Sequence, residues 1–277
     1  MNTSKGSPLR KGLTILEALA TSTNGCTSQE LANIVGVHKT NIYHYLKILL
    51  NARYVRRDEG GRFRIGYKIL ELGGQLLQRM PLREAAHEHL LRLSHETSKT
   101  IHLSVLDGTE LLYIDKVEGP NTLPMRSRIG TRAPVHCTAS GKILLAHLPN
   151  AEQERVLAAC SMEQRTPATI LDRNQLRRGL RESAEQGYAV DHGENEEHIC
   201  CFAAPVFDQS GRAIASISLT GLSSELIDPE EHRRIRQLVL STAARISAER
   251  GYAGPPFGTD VSTEPVVAGT SRQGGSS

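Results

Sequence analysis

Apolar positions in the first fifty residues recur at helical spacing. Lys11–Ala20 places Leu13, Leu16 and Leu19 on one side, the three- and four-residue rhythm of an amphipathic helix. A second short pattern puts Leu31, Ile34 and Val35 on one face. Thr27 and Glu30 ahead of it have capping-box spacing, and Gly36 permits the left-handed turn that ends it. A third pattern turns Ile42, Leu46, Leu49 and Leu50 inward. Its other face carries Lys39, Thr40, Tyr43, His44 and Lys47. The period then drops toward two. Tyr54-Val55-Arg56-Arg57 and Arg62-Phe63-Arg64-Ile65 flank Asp58-Glu59-Gly60-Gly61, as a two-stranded ribbon requires.

A further helix is expected over Gly66–Met80, interrupted at Gly73-Gly74 and stopped by Pro81. Its apolar residues Ile69, Leu70, Leu72, Leu76 and Leu77 suit a linker that also dimerises the protein, or a simple connector. Beyond it the pattern mixes helices and strands. Helices are expected at Leu82–Ser98, Thr138–Leu148, near 151–160, 172–186 and 228–250. Strands are expected at Thr100–Leu106, Glu110–Glu118, Gly187–Asp191, His198–Phe207 and Arg212–Gly221. Helices gathered on a mainly antiparallel sheet make an α+β class. The expected division is a disordered start over 1–8, a winged helix-turn-helix over 9–67 and a linker helix over 68–81. A second, α+β domain over 82–252 and a disordered tail over 253–277 complete it.

Charge separates the two halves. Residues 1–80 carry 12 Lys and Arg against 5 Asp and Glu, and the remainder carries 21 against 25, so the net +3 of the 277-residue chain hides a basic module. Such segregation is the footprint of nucleic-acid binding, since phosphate neutralisation releases counterions. A recognition helix fits the major groove, and a basic ribbon can lie along phosphates or reach a minor groove. The candidate DNA contacts are therefore Lys39, Thr40, Asn41, Tyr43, His44 and Lys47 on the helix, with Arg56, Arg57, Arg62 and Arg64 on the ribbon. Two-fold proteins read palindromic half-sites about one DNA turn apart, so a dimer is expected.

The five cysteines lack zinc-site or disulfide-framework spacing, and no signal peptide or apolar membrane span is legible. A cytoplasmic protein with reduced thiols follows as the expectation. His192, His198, Cys200 and Cys201 crowd together with Glu194, Glu196 and Glu197, all metal-ligand types. Their spacing matches no established ligand pattern, and phosphate-loop, dinucleotide and G-x-S-x-G fingerprints are absent. No enzyme activity, metal or cofactor is expected. A metal-binding or enzymatic domain fused to the DNA module is the rival class, and an effector domain used only for assembly is a third.

Two features point to a small ligand instead. Alternation along Ala215–Thr220 sets Ser216, Ser218 and Thr220 on one face against Ala215, Ile217 and Leu219 on the other. A row of hydroxyls suits a polar molecule, and would equally suit an exposed strand face. The segment Gly130–Gly141 leads into a helix whose N-terminal amides make a seat for a carboxylate, with Thr138 as its cap.

With these residues in view, the chain resembles the IclR family of transcriptional regulators over roughly 8–250. The resemblance rests on KGLTILEALA, ELANIVGVHKTNIYHYLKILLNARYV, RIGTRAPVHCTASGKILLAHL and GYAVDHGENEEHICCFAAPVFDQSGRAIASISLTG. It implies an N-terminal winged helix, a linker helix and a C-terminal domain resembling GAF domains that binds a small metabolite. It also implies a homodimer or homotetramer acting on double-stranded DNA, most often repressing a catabolic operon and sometimes activating one. Positions matching the family's effector contacts are Met125, Ala139, Ser140, Asp191, Ile199, Cys201, Ser218 and Thr220. MRSRIGTRAPVHCTASGK and DHGENEEHICCFAAPVFD look most like regulators of sugar-acid catabolism, such as the 2-keto-3-deoxygluconate repressors. A sugar or keto acid is then the implied effector, and an aromatic-acid activator the alternative. His136-Cys137 departs from the small or aromatic residues of other members.

Overall fold

The computed structural model describes residues 7–120, 125, 127–226 and 228–254. The chain divides between Met80 and Pro81 into two compact units. The expected disorder of residues 1–6 and 255–277 lies outside the described residues. Pro8, placed in the expected disordered start, instead opens the first helix.

The first unit holds α1 (Pro8–Thr21), α2 (Ser28–Val35) and α3 (Lys39–Asn51), then β1 (Val55–Arg57), β2 (Phe63–Ile65) and α4 (Lys68–Gln78). The capping box forms as expected: Glu30 N–H donates to Thr27 Oγ1 at 3.2 Å, and Thr27 N–H donates to Glu30 Oε2 at 2.6 Å. Burial corrects two of the helical faces. α1 buries Ile15 and Leu19 while Leu13 is half exposed, and α2 buries Leu31 and Ala32 while Ile34 is exposed. Ile15 and Ala32 turn inward where Leu13 and Ile34 were expected, each two positions away, while Leu16 and Val35 pack against the core as expected. Ile42, Leu46, Val55 and Phe63 complete that core, and Cys26 adds a bridge to Phe63.

α4 differs from expectation in two ways. It runs unbroken through Gly73-Gly74, and Pro81 opens the next helix instead of ending this one. Proline lacks the amide that a helix's first position does not use, which suits it to that place. No residue of α4 is buried, and Ile69, Leu70, Leu72 and Leu76 are exposed.

The second unit is built on one antiparallel sheet. Its strands are β3 (Thr100–Asp107), β4 (Glu110–Val117), β5 (Arg132–Pro134), β6 (Ala189–His192), β7 (Ile199–Phe207) and β8 (Ala213–Leu222). Their order is β5-β4-β3-β8-β7-β6, so two hairpins meet at the β3–β8 seam. α5 (Pro81–Thr97) and α9 (Pro229–Glu249) pack on one face of the sheet. α6 (Ala139–Ala146) packs on the other, backed by α8 (Arg173–Gln186), while α7 (Asn150–Ala159) joins the core behind it. The expected strand at Gly187 starts at Ala189 instead. Gly187 is the left-handed C-cap of α8, with φ 76°. β5 falls within the Gly130–Gly141 segment that leads into α6. Three residues give too short a pattern to show a period.

α6 is buried from Ala139 through Leu145. Its small N-terminal residues let it lie close on the chain before it: a β-carbon on Gly141 would stand 2.4 Å from Val135 Cα. This changes the expectation for the hydroxyl row. Ser216, Ser218 and Thr220 share a face, but that face is covered by α6 rather than open, and all three are buried.

Candidate functional site

In the first unit, α3 presents its polar side outward. Lys39, Thr40, Asn41, Tyr43, His44 and Lys47 are all exposed, while Ile42 and Leu46 anchor the helix from behind. Ser28 Oγ and Tyr43 Oη are 3.0 Å apart, which ties the start of α2 to the middle of α3. His38 Nδ1 and Thr40 Oγ1 form a similar contact at 3.0 Å at the helix start.

The four ribbon arginines fall into two pairs. Arg56 and Arg57 are exposed, with their guanidinium groups over the rings of Tyr67 and Phe63. Arg62 and Arg64 turn back onto the domain. Arg62 donates to the Gly25 carbonyl and pairs with Glu30 at 2.9 Å, and Arg64 donates to the Thr23 carbonyl and pairs with Asp58 at 2.7 Å. The Thr27 amide holds the Glu30 carboxyl below its ordinary value, with Arg62 assisting. Arg62 and Arg64 therefore brace the ribbon against the rest of the unit, while Arg57 Nε donates only within it, to the Gly61 carbonyl at 3.2 Å. Alternation showed their charge but not their partners.

In the second unit, a cavity lies between the N-terminus of α6 and the sheet. All eight residues carried over from the resemblance line it. Ala139 and Ser140 come from α6, Asp191 from β6, Ile199 and Cys201 from β7, Ser218 and Thr220 from β8, and Met125 from the β4–β5 connection. Ser216 does not reach it. Neither His136 nor Cys137 lines it, so the departure at those positions sits outside the walls. The cavity measures about 450 Å³ including its open mouth.

Four more polar residues line the cavity that sequence reading left out, His102, Tyr113, Ser127 and Asn195, and Glu196, read there only as a metal-ligand type, joins them. Strand alternation could have found His102, which sits opposite Ser218 across the β3–β8 pair. Nothing local marks the others, because they arrive from a bulged strand and two loops.

The carboxylate seat is narrower than expected. Thr138 Oγ1 already accepts from the Gly141 amide at 3.2 Å, which leaves the amides of Ala139 and Ser140 at the helix start. Ser140 Oγ is buried and has no hydrogen-bond partner among the described residues. Across the cavity, Asp191 is 2 % exposed and accepts from the Glu194 amide at 2.7 Å. Burial pushes its carboxyl up to about 7, with the Glu194 amide and Lys142 opposing. Cys201 Sγ and Thr220 Oγ1 are 3.3 Å apart. Behind this wall Lys142 and Glu194 form a buried ion pair at 2.5 Å. Thr166 and Thr169 donate to the Glu194 backbone carbonyl, and Thr166 also to that of Gly193, which pins the loop carrying it.

The metal-ligand types of this segment do not converge. His198 falls outside β7 with φ 64°, Cys200 faces His192 at 3.8 Å, and Cys201 faces Thr220. Among the described residues no group of three or more His, Cys, Asp or Glu side chains is placed to hold a metal ion. No helix among them is long and apolar enough to cross a membrane.

Comparison with known proteins agrees with both halves of this description. Residues 8–59 match the family model for the IclR helix-turn-helix domain, and residues 74–248 match that for the bacterial transcriptional regulator IclR C-terminal domain. The HTH-type transcriptional regulator XynR of Escherichia coli (strain K12) is 35% identical over 245 residues, covering 88% of this chain and 97% of that protein. The HTH-type transcriptional regulator KdgR of the same organism is 36% identical over 230 residues, covering 82% and 87%. The crystal structure of Thermotoga maritima IclR superposes with a TM-score of 0.75 at 34% identity, covering 88% of this chain and 98% of that one. The relatives are regulators rather than enzymes, and the chain belongs to the IclR family of bacterial transcriptional regulators.

Proposed function

We infer that this regulator is a repressor whose hold on a palindromic operator is controlled by a small organic acid of the sugar-acid or keto-acid class. The observation that carries the reading is the convergence of three different elements on one cavity. The start of α6 offers amides and the unpartnered Ser140 hydroxyl to a carboxylate, while Ser218, Thr220 and Asp191 face the rest of the ligand. Asp191 serves as an acceptor for a ligand hydroxyl, in keeping with a carboxyl that burial has brought near neutrality. In the first unit, α3 would enter the major groove with Lys39, Thr40, Asn41, Tyr43, His44 and Lys47, flanked by Arg56 and Arg57 on phosphates. Arg62 and Arg64 would hold the ribbon in position for them. The exposed apolar residues of α4 support assembly with a second copy, which a palindromic site requires.

Ligand control requires that the acid bind one arrangement of the protein more tightly than another. Fluorescence anisotropy on DNA from upstream of its own gene, with keto and sugar acids added in turn, tests this. Release of DNA by one of these acids is the expected result. Tightened binding, or a response to aromatic acids alone, would point to activation or to the aromatic class instead. Ser218→Ala combined with Thr220→Val should weaken the response to the active acid at least tenfold and leave operator affinity unchanged. An unaltered response in that double variant would count against the cavity as the site.

A further inference from the structure

The cavity has a polar wall made by residues other than those considered above. Tyr113 lies on β4 and Asp191 on β6, four strand steps apart in the sheet order. In a flat sheet that would separate them by roughly 19 Å, at about 4.8 Å per step. Both nevertheless line one small cavity, so the sheet curls to bring its two ends face to face. Tyr113 is only partly exposed, and its hydroxyl has no hydrogen-bond partner among the described residues. Burial pushes the phenol up, and Cys201, Glu196 and Asp191 push it further, as acidic groups facing it across the space would.

The ring itself is held firmly. His102 packs against it with ring centroids 5.0 Å apart, and His102 Nε2 stands 2.8 Å from Ser127 Oγ. Lys116 Nζ donates to the Ser127 carbonyl at 2.8 Å and fixes that residue in turn. Burial lowers His102 to about 3, so it is a neutral hydrogen-bonding group throughout the physiological range. A neutral donor and acceptor pair beside a buried phenol is suited to uncharged oxygen, not to a second anion.

We propose that Tyr113 is a specificity-determining residue of the effector cavity: its hydroxyl and the Asp191 carboxyl grip a hydroxyl of the ligand from the two ends of the curled sheet, while His102 and Ser127 position the ring. The assignment rests on the organic-acid reading given above and narrows it to hydroxylated acids. A phenol left without a partner inside a site is worth most to a ligand that supplies one, and a site built around a hydrogen bond discriminates against analogues lacking it.

The test compares Tyr113→Phe with the wild-type protein by titration calorimetry, using D-gluconate and D-glycerate as hydroxylated probes and pyruvate as the probe without a hydroxyl. Tyr113→Phe should weaken the hydroxylated acids about tenfold, the effect of one lost hydrogen bond. Pyruvate binding should change by less than about twofold, and the melting temperature without ligand should be unchanged. His102→Gln, which keeps a neutral hydrogen-bonding group but not the ring contact, should give a smaller loss in the same direction. An equal loss for all three acids, or no loss for the hydroxylated ones, overturns the assignment. If the wild type binds pyruvate but neither hydroxylated acid, this inference fails and the organic-acid reading stands. If it binds none of the three, both fail.

Discussion

The two polar regions of this protein treat their hydrogen-bonding groups in opposite ways. On the ribbon, Arg62 and Arg64 close onto backbone carbonyls and carboxylates of their own unit, and Thr27 and Glu30 satisfy each other. Around the cavity, Ser140 and Tyr113 keep hydroxyls without partners among the described residues, and Asp191 is a buried carboxyl with no cation bonded to it among them. The DNA-facing unit needs a fixed shape and displays its remaining charge to solvent, where water satisfies it. The cavity meets water only at its mouth, so a hydroxyl left open there gains from a polar molecule that completes it. A surface that binds a polyanion is built from exposed charge on a stiff frame. The cavity proposed to take a metabolite is built from incompleteness.

The buried ion pair behind the cavity offers the largest test of this contrast. Lys142→Met leaves Glu194 buried without its partner, and should destabilise the protein by about 3–5 kcal/mol in urea unfolding. Adding Glu194→Leu should restore most of the loss, because two apolar groups need no partner. A single variant as stable as the wild type would show that the pair is not enclosed as described.

Asp191 gives the next effect, read through pH. Its folded-state value of about 7 lies above the ordinary 3.8, so the fold favours the protonated form. Stability from this group is fully present below about pH 4, declines as pH rises, and is lost above about 7. The swing is on the order of 4 kcal/mol at most, from three units of difference at 1.36 kcal/mol each. Asp191→Asn keeps an acceptor for the Glu194 amide and should flatten the profile over that window. An unfolding series between pH 4 and 8 on the ligand-free protein measures it, and an unchanged slope in the variant would remove Asp191 as its source.

The smallest effects separate the two arginine pairs. Arg57→Ala should lower stability by less than about 1 kcal/mol, through its Gly61 bond and Phe63 contact, and reduce the salt dependence of operator binding by about one phosphate contact, a slope change near 0.9. Arg62→Ala should instead lower the first unit's stability by about 1 kcal/mol through the carbonyls it abandons, with little change in slope. The reverse pattern would mean that Arg62, not Arg57, reaches the phosphates.

Much of this was legible along the chain. Thr27, Glu30, Gly36 and the Asp58–Gly61 turn act within a few residues of themselves, so their roles follow from spacing. The strand pattern at Ala215–Thr220 separated its two faces correctly for the same reason. The misses were of another kind. Leu13 and Ile34 are as apolar as their buried neighbours, and only the seam they meet decided which turned inward. Ser216 and Ser218 are alike in sequence, and only the position of α6 decided which one reaches the cavity.

The sequence by itself determined the elements, their caps and turns, the segregation of charge and the family resemblance that marked eight lining residues. Those properties depend on local conformational preference and on side-chain type. Tertiary structure alone decided that α6 covers the hydroxyl face, that Arg62 and Arg64 fold back, and that Tyr113 and Asp191 line one cavity. Each of those depends on contacts between residues far apart in the chain. Such pairings are set by the curl of the sheet and the close seating of α6 against it, which no stretch of sequence encodes on its own.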